Sequence, residues 1–359
     1  MQYNLTIQRQ ITPGTVLSVG YIGSEGRHLF TEVDLNAPMC ATSAANEAAG
    51  IFTTGCQDPA STYFANGATF AQNPRISTAA NPQAPTSLTS ILGPGSNAYF
   101  GQLSTAVAQQ TSNYNSLQIS LNHQFSRSFS GQASYTYSKC LGTGSASSGL
   151  EQDIYEQADP YDRKYDYGLC SFDIRHNFVA NGVYSLPFRG NRLVEGWQVS
   201  SILRANTGLP VTIQEGADVT DLAAIQGDRP DYSGTCPGGR DQVLGKWYNW
   251  FNSTCYTSQP FGTLGDVPRG SVTGPGLVNL DFSLIKNTKV WEGLNAQFRA
   301  EFYNVLNHTN FAQPLATGVL TGAAFAATAA PTGQPGDSGS IEGTATTSRE
   351  IQFGLKLTF

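Results

Sequence analysis

Hydrophobic and polar residues alternate with a period of two along much of this chain. In 116–125, Leu117, Ile119, Leu121 and Phe125 take one parity while Ser116, Gln118, Ser120, Asn122 and Gln124 take the other. After a turn at 126–128, Phe129, Ala133, Tyr135 and Tyr137 alternate with Ser130, Gln132, Ser134, Thr136 and Ser138. Successive strand side chains point to opposite sides, so the two segments predict a hairpin with one apolar and one polar face. The last residues repeat the pattern, with Ile351, Phe353, Leu355, Leu357 and Phe359 set against Glu350, Gln352, Gly354, Lys356 and Thr358. Chain ends usually fray into polar residues. This one is patterned as a strand to its final aromatic ring.

Looser alternation runs through 2–11, 15–30, 172–187, 194–214, 277–287 and 293–311, and the terminal strand covers 348–359. With the hairpin this predicts an all-β, antiparallel architecture of about nine strands. Each segment has at least about the 9–11 residues that a tilted strand needs to cross a bilayer. The connections alternate as well. Short turns fall near 12–14, 126–128, 188–193 and 288–292, and long Gly-, Pro-, Ala- and Ser-rich segments at 31–113, 141–171, 215–276 and 312–347. Compact soluble domains seldom place a long structureless loop at every second connection. Outer-membrane barrels do, with short periplasmic turns and long extracellular loops. The expectation is therefore a portion of a transmembrane β-barrel.

Composition sharpens that picture. Charged residues make up only 13% of the 359, while Gly (38), Phe (19) and Tyr (16) are abundant, a mixture suited to two-faced strands and turns. The net charge of −6 has no basic run behind it, so no nucleic-acid partner is expected. No stretch reaches the roughly 18 apolar residues of a membrane-spanning helix. The start, MQYNLTIQRQ, lacks the basic and apolar regions of an export signal. Counting from a first strand that descends, the ninth strand also descends and Phe359 lies on the periplasmic side. An odd count then predicts further strands upstream of Met1, and the chain reads as the C-terminal part of a longer barrel.

The six cysteines fall into neighbouring pairs, Cys40 with Cys56, Cys140 with Cys170 and Cys236 with Cys255, one pair in or beside each of three long loops. No CxxC is present, so metal-ligand spacing is missing. Local disulfides in an oxidising compartment are expected, and six buried thiols are the alternative.

Three runs in order, NYNSLQISLNHQFSRSFSGQASYTYSK, DIRHNFVANGVYSLPF and GWQVSSILRANTGLPVTI, resemble the C-terminal barrel region of Oar-like TonB-dependent outer-membrane transporters. WFNSTCYTSQPFGTLGDVPRGSVTGPGLVNLDFSLIKNTKV, RAEFYNVLNHTNF and the terminal strand continue the resemblance, which covers most of the chain outside the long loops. It implies a barrel of roughly 22 strands with an N-terminal plug and a signal peptide, and this chain is expected to hold nine of those strands and neither of the N-terminal parts. Contact with TonB would run only through that plug. The resemblance also implies that Phe353, Leu355, Leu357 and Phe359 form the signal read by the barrel-assembly machinery.

GxSxG, HExxH and GxxxxGK[ST] are absent, and GGRDQVLGKW has the wrong spacing for a phosphate-binding loop. His28, His123, His176 and His308 are scattered, and His123 and His176 sit at the apolar parity, as interfacial residues do. No catalytic residue, metal site or cofactor is expected. Asp173, Arg175, Arg204, Asp281, Arg299, Glu301 and Lys356 fall at the polar parity and would face a lumen, either guiding a solute or filling the interior as satisfied pairs. Trp247, Tyr248 and Trp250, with Phe251 and Tyr256 nearby, could stack on a sugar or another apolar ligand, or simply pack their own loop. Asp159, Asp162 and Asp166 lack the spacing of a calcium loop and read as a solvated acidic segment. The expected role is the transmembrane wall and ligand-facing loops of an active solute transporter, in contact with outer-membrane lipid. A surface adhesion barrel and a small passive pore are the alternatives.

Overall fold

In the computed structural model the alternating segments are strands, and they pair in the order in which they occur. The structure describes residues 1–34, 104–124, 128–144, 158–159, 162–215, 228–237, 239–259, 264–316 and 338–359, and the backbone of three short strands at Met39–Ala41, Thr53–Thr54 and Tyr63–Phe64. The main sheet is an antiparallel meander. Its nine long strands are β1 (Gln2–Thr12), β2 (Thr15–Asp34), β3 (Ser104–Gln124), β4 (Phe129–Gly142), β5 (His176–Ser185), β6 (Trp197–Asn206), β7 (Leu277–Trp291), β8 (Leu294–Tyr303) and β9 (Glu350–Thr358). The two-residue strand Gly168–Leu169 adds to the end of β4. Among the described residues β1 pairs only with β2 and β9 only with β8, so the sheet is open.

Local chemistry explains the turns. Between β1 and β2, Pro13 presets one turn residue and Gly14 takes the other at φ 89°. Between β7 and β8, Gly293 at φ 92° does the same service for Glu292–Gly293. These turns lie at one end of the sheet. The long connections leave from the other end.

Several boundaries differ from the sequence expectation. The pairing of β2 with β3 continues past Phe30 to Asp34 and Ser104, through a bulge where His28 adopts φ 56°. Small residues in 104–113 blur the alternation there, which made these positions look like loop. At 20 and 21 residues, these strands are roughly 65–70 Å long, about twice the hydrocarbon thickness. β6 stops at Asn206 because the chain must pass the backbone of 274: a Cβ at Gly208 would sit 1.8 Å from the Gly274 carbonyl oxygen. β8 stops at Tyr303 because Asn304 turns into the left-handed region, at φ 47°.

The register keeps the two faces continuous. On one face Leu17, Leu121, Ala133, Ala180, Leu203 and Leu280 follow one another across six strands. Phe129, Tyr184, Val199, Leu284, Ala300 and Phe353 form a second such row. A one-residue slip in any of these pairings would break the row that runs through it. The opposite face reads Gln8, Ser18, Ser120, Ser134, Val179, Arg204 and Asn279. On the apolar side the paired glycines 131 and 182 are covered by the Phe129 ring, which lies within 3.3 Å of where either Cβ would stand. An aromatic ring laid over a glycine pair restores the packing that the missing side chains forfeit.

Candidate functional site

Above the end from which the long connections leave, segments of 143–175, 207–276 and 304–349 are knitted into one assembly. Its apolar core holds Val211, Ile213, Phe251, Tyr256, Val267 and Val272, all buried, with Cys255. The strand pairs Pro210–Val211 with Val272–Thr273, Asp231–Tyr232 with Tyr256–Thr257 and Val243–Lys246 with Asn249–Phe251 frame this core. Backbone bonds then attach 304–349: Gln214 N donates to Ala316 O at 2.9 Å and Trp250 N to Gly339 O at 2.7 Å.

Disulfides Cys140–Cys170 and Cys236–Cys255 brace the assembly, as the cysteine spacing predicted. Cys40 and Cys56 lie outside the described residues. The first bridge ties the end of β4 to the segment that leads into β5. Beside it Asp173 Oδ1 accepts from Cys140 N at 2.6 Å and Oδ2 pairs with Arg175 at 3.0 Å. Asp173 and Arg175 therefore stand at the foot of the loop assembly, before β5 begins.

Charges are buried where the connections meet. Arg229 Nη1 pairs with Asp166 Oδ1 at 2.9 Å, and Arg229 Nη2 donates to Tyr165 O at 2.8 Å. The Arg229 guanidinium lies 3.8 Å from the centre of the Tyr165 ring. Asp166 also accepts from Ala158 N, and Asp162 accepts from Lys164 N, so both carboxylates hold their own segment together. Asp159 is buried beside them. Arg269 donates to Gly142 O at 2.6 Å, linking this layer to β4.

Glu215 is buried next to Asp228 and accepts from Ser258 Oγ at 3.1 Å. Burial, reinforced by the Asp228 charge, pushes its pKa up to about 8 despite the Ser258 bond. Gln259, its amide nitrogen turned toward them, donates to both Glu215 and Arg229 O. Nearby, Tyr232 and Tyr256 both donate to Asp241, at 2.6 and 3.1 Å. Burial first and Asp241 second raise both phenols.

The loop aromatics divide into two roles. Trp250 packs on the assembly core and donates its Nε1 to Thr273 O at 2.9 Å. Trp247 and Tyr248 form the hairpin tip, 57% and 55% exposed, in an edge-to-face pair at 5.5 Å with the Lys246 ammonium 5.8 Å from the Tyr248 ring. Phe251 and Tyr256, also noted in the sequence, are core.

Register assigns the remaining candidates. Arg204, Asp281, Arg299, Glu301 and Lys356 share the polar face of the sheet, on β6 to β9. Asp281 Oδ1 accepts from Asn279 Nδ2 and from Asn304 N, each at 2.9 Å. Two charged residues on this face, Lys289 and Glu350, were not singled out in the sequence. Lys289 lies beyond the 277–287 that alternation predicts, on the part of β7 that runs on to Trp291. Two asparagines were missed as well. Asn310 brackets Val278 with both amide atoms, accepting at 2.8 Å and donating at 3.0 Å, and Asn304 binds the carbonyls of His308 and Thr347. The Asn spacing in NVLNHTN was their visible signal.

Two of the histidines, His123 and His176, border the apolar face. His123 bonds Thr15 Oγ1 at 2.8 Å and stacks on Phe129 near the short turns. His176 bonds the Tyr135 hydroxyl at 2.7 Å toward the long connections, with Tyr137 5.2 Å away. Polar-tipped rings at both margins of an apolar band are the pattern of membrane interfaces. His28 occupies the β2 bulge and His308 bonds Asn310.

The family model described as outer membrane beta barrel domain matches residues 1–352. Among solved structures, the crystal structure of the outer membrane transporter YddB from Escherichia coli matches with a TM-score of 0.45 at 10% identity, over 99% of this chain and 32% of the YddB chain. The chain thus spans about a third of the length of that transporter. No curated protein matches the sequence.

Proposed function

The chain belongs to the outer membrane beta barrel domain family, at home in the bacterial outer membrane, and from that premise we propose that it forms part of the wall and the ligand-facing loops of a TonB-dependent solute transporter. One observation carries the reading: a single register gives nine strands a continuous apolar face and a continuous polar one, with the described parts of three long connections folded together at one end. The apolar face meets lipid. The polar face lines water, and Arg204, Asp281, Arg299, Glu301 and Lys356 belong to that lining. The loop assembly is extracellular and receives the solute, and the short turns and Phe359 are periplasmic.

Oar-like transporters are the group whose motifs these strands follow in order. In this reading TonB acts through a plug outside the present chain, no covalent chemistry takes place, and the alternation ending in Phe359 is read by the barrel-assembly machinery. The test is solute flux in liposomes holding the gene's full product, with and without TonB energisation in cells. Uptake that needs TonB supports the proposal. Flux that is unchanged without TonB points to the passive pore, and surface binding without flux points to an adhesion barrel built on the exposed Trp247–Tyr248 tip.

A further inference from the structure

The polar face is electrically uneven. On β1, on β2 below its bulge and on β3 to β5, the positions of this face carry Gln, Asn, Ser, Thr and a few apolar residues, with no charge. On β6 to β9 it carries Arg204, Asp281, Lys289, Arg299, Glu301, Glu350 and Lys356. These charges are also sorted along the strands. Asp281, Glu301 and Glu350 stand toward the loop end, while Lys289, Arg299 and Lys356 stand toward the short turns.

Two of these cations, Lys289 and Lys356, line an amide-rich cleft, and Arg299 stands one residue pair above it. Lys289 pairs with Asn295 across β7 and β8, Asn287 with Gln297, and Gln297 in turn with Lys356 on β9. These residues, with Thr358, line a cleft of about 370 Å³ that contains no carboxylate. One pair higher, Arg299 faces Gly354, whose missing side chain leaves open space on this face: a Cβ there would meet nothing nearer than Arg299 Cβ at 4.0 Å. Gln297 links the set, donating to Asn287 Oδ1 and accepting from Arg299 Nε, each at 2.7 Å. Among the described residues none of the three cations enters an ion pair. Lys289 also borders the adjoining cleft that holds Glu195 and Glu292, beyond ion-pair distance, and the repulsion among the three cations is relieved by an anion that accepts from several of them at once.

We propose that Lys289, Lys356 and Arg299, with the amides of Asn287, Asn295 and Gln297, bind a small oxyanion bearing at least two negative charges. The cations supply attraction and the Arg299 fork supplies geometry. The amides complete the oxygen shell as neutral donors. The site rests on the reading of this face as water-lined and does not depend on transport.

The test is calorimetric titration of the full chain in detergent micelles with inorganic pyrophosphate and, separately, citrate, at about 0.15 M salt. Saturable binding of either is expected, and Lys289→Gln with Lys356→Gln removes two charge-assisted contacts, weakening it by at least about tenfold. Arg192→Gln, at the neighbouring short turn but outside the cleft, leaves binding unchanged. Saturable binding of neither anion overturns the site. So does binding that survives the double substitution, or falls equally with Arg192→Gln. Lys356→Glu, a substitution on an exposed edge strand, abolishes binding while the sheet signal in circular dichroism stays. Binding is read at equilibrium, so its absence alongside intact flux sinks the site alone, and its presence without flux sinks the transport reading alone.

Discussion

Asp166 and Arg229, 63 residues apart in the chain, meet as a buried ion pair at 2.9 Å and join two of the long connections into one body. A buried pair adds little net stability over a well-packed apolar replacement, but removing one partner strands the other charge. Arg229→Gln is therefore expected to destabilise the loop assembly by about 3–5 kcal/mol, and the double change Asp166→Leu with Arg229→Met by much less. Limited proteolysis across a urea series reads the difference, and equal losses in the two variants would refute the pairing as the cause.

Glu215 makes the same assembly sensitive to pH. Its folded pKa lies near 8 against an ordinary value of 4.5, so in that interval the folded state holds a proton that the unfolded chain has released. Stability is thus greatest below about 4.5 and falls as pH rises toward 8. Glu215→Gln keeps a neutral group in place and is expected to flatten the slope. The check is the urea midpoint of the loops across that interval, and a slope retained in the variant would assign it to another group.

The Cys140–Cys170 bridge closes a 30-residue separation between β4 and the approach to β5. Replacing both cysteines by serine is expected to cost about 3–4 kcal/mol, mostly through the freer unfolded chain. The denaturation midpoint of oxidised wild type against the variant measures it, and reduced wild type should match the variant.

Ile119 and Ser120 are neighbours on β3 with opposite facings: Ile119 pairs with Val19 and Tyr135, Ser120 with Ser18 and Ser134. With lipid on the apolar side, Ile119→Arg is expected to cost about 2–4 kcal/mol near the bilayer midplane and Ser120→Arg far less. Unfolding from lipid vesicles compares them. A larger loss for Ser120→Arg would invert the facing.

Phe359 is 89% exposed beyond the end of β9. If it completes an assembly signal, Phe359→Ala combined with Phe353→Ala leaves synthesis intact and lowers the outer-membrane fraction, as cell fractionation reports. An unchanged fraction would remove these residues from that role.

Much of the wall was legible in the chain, because side-chain alternation is a local consequence of extended backbone. Pairs such as Leu121 and Ser120 announce their faces without reference to any partner. The cysteine pairs Cys140–Cys170 and Cys236–Cys255 were legible for a related reason, being near neighbours along the chain. Lys289 and the reach of β2 to Asp34 were not, since small residues and turn-like composition hide pairing that depends on a distant strand. Trp250 could not be told from Trp247 by sequence, because one packs on a core assembled from 210 to 273 and the other does not.

The sequence by itself thus determined a two-faced antiparallel wall with short turns at one end and long connections at the other: period and turn chemistry act over a few residues. Only the tertiary structure decided that Lys289 and Lys356 line one cleft with Arg299 one pair above it, and that Asp166 closes on Arg229. Those outcomes depend on strand register and loop contacts between residues far apart in the chain, where the free energy is shared over many pairings and no single residue type records it.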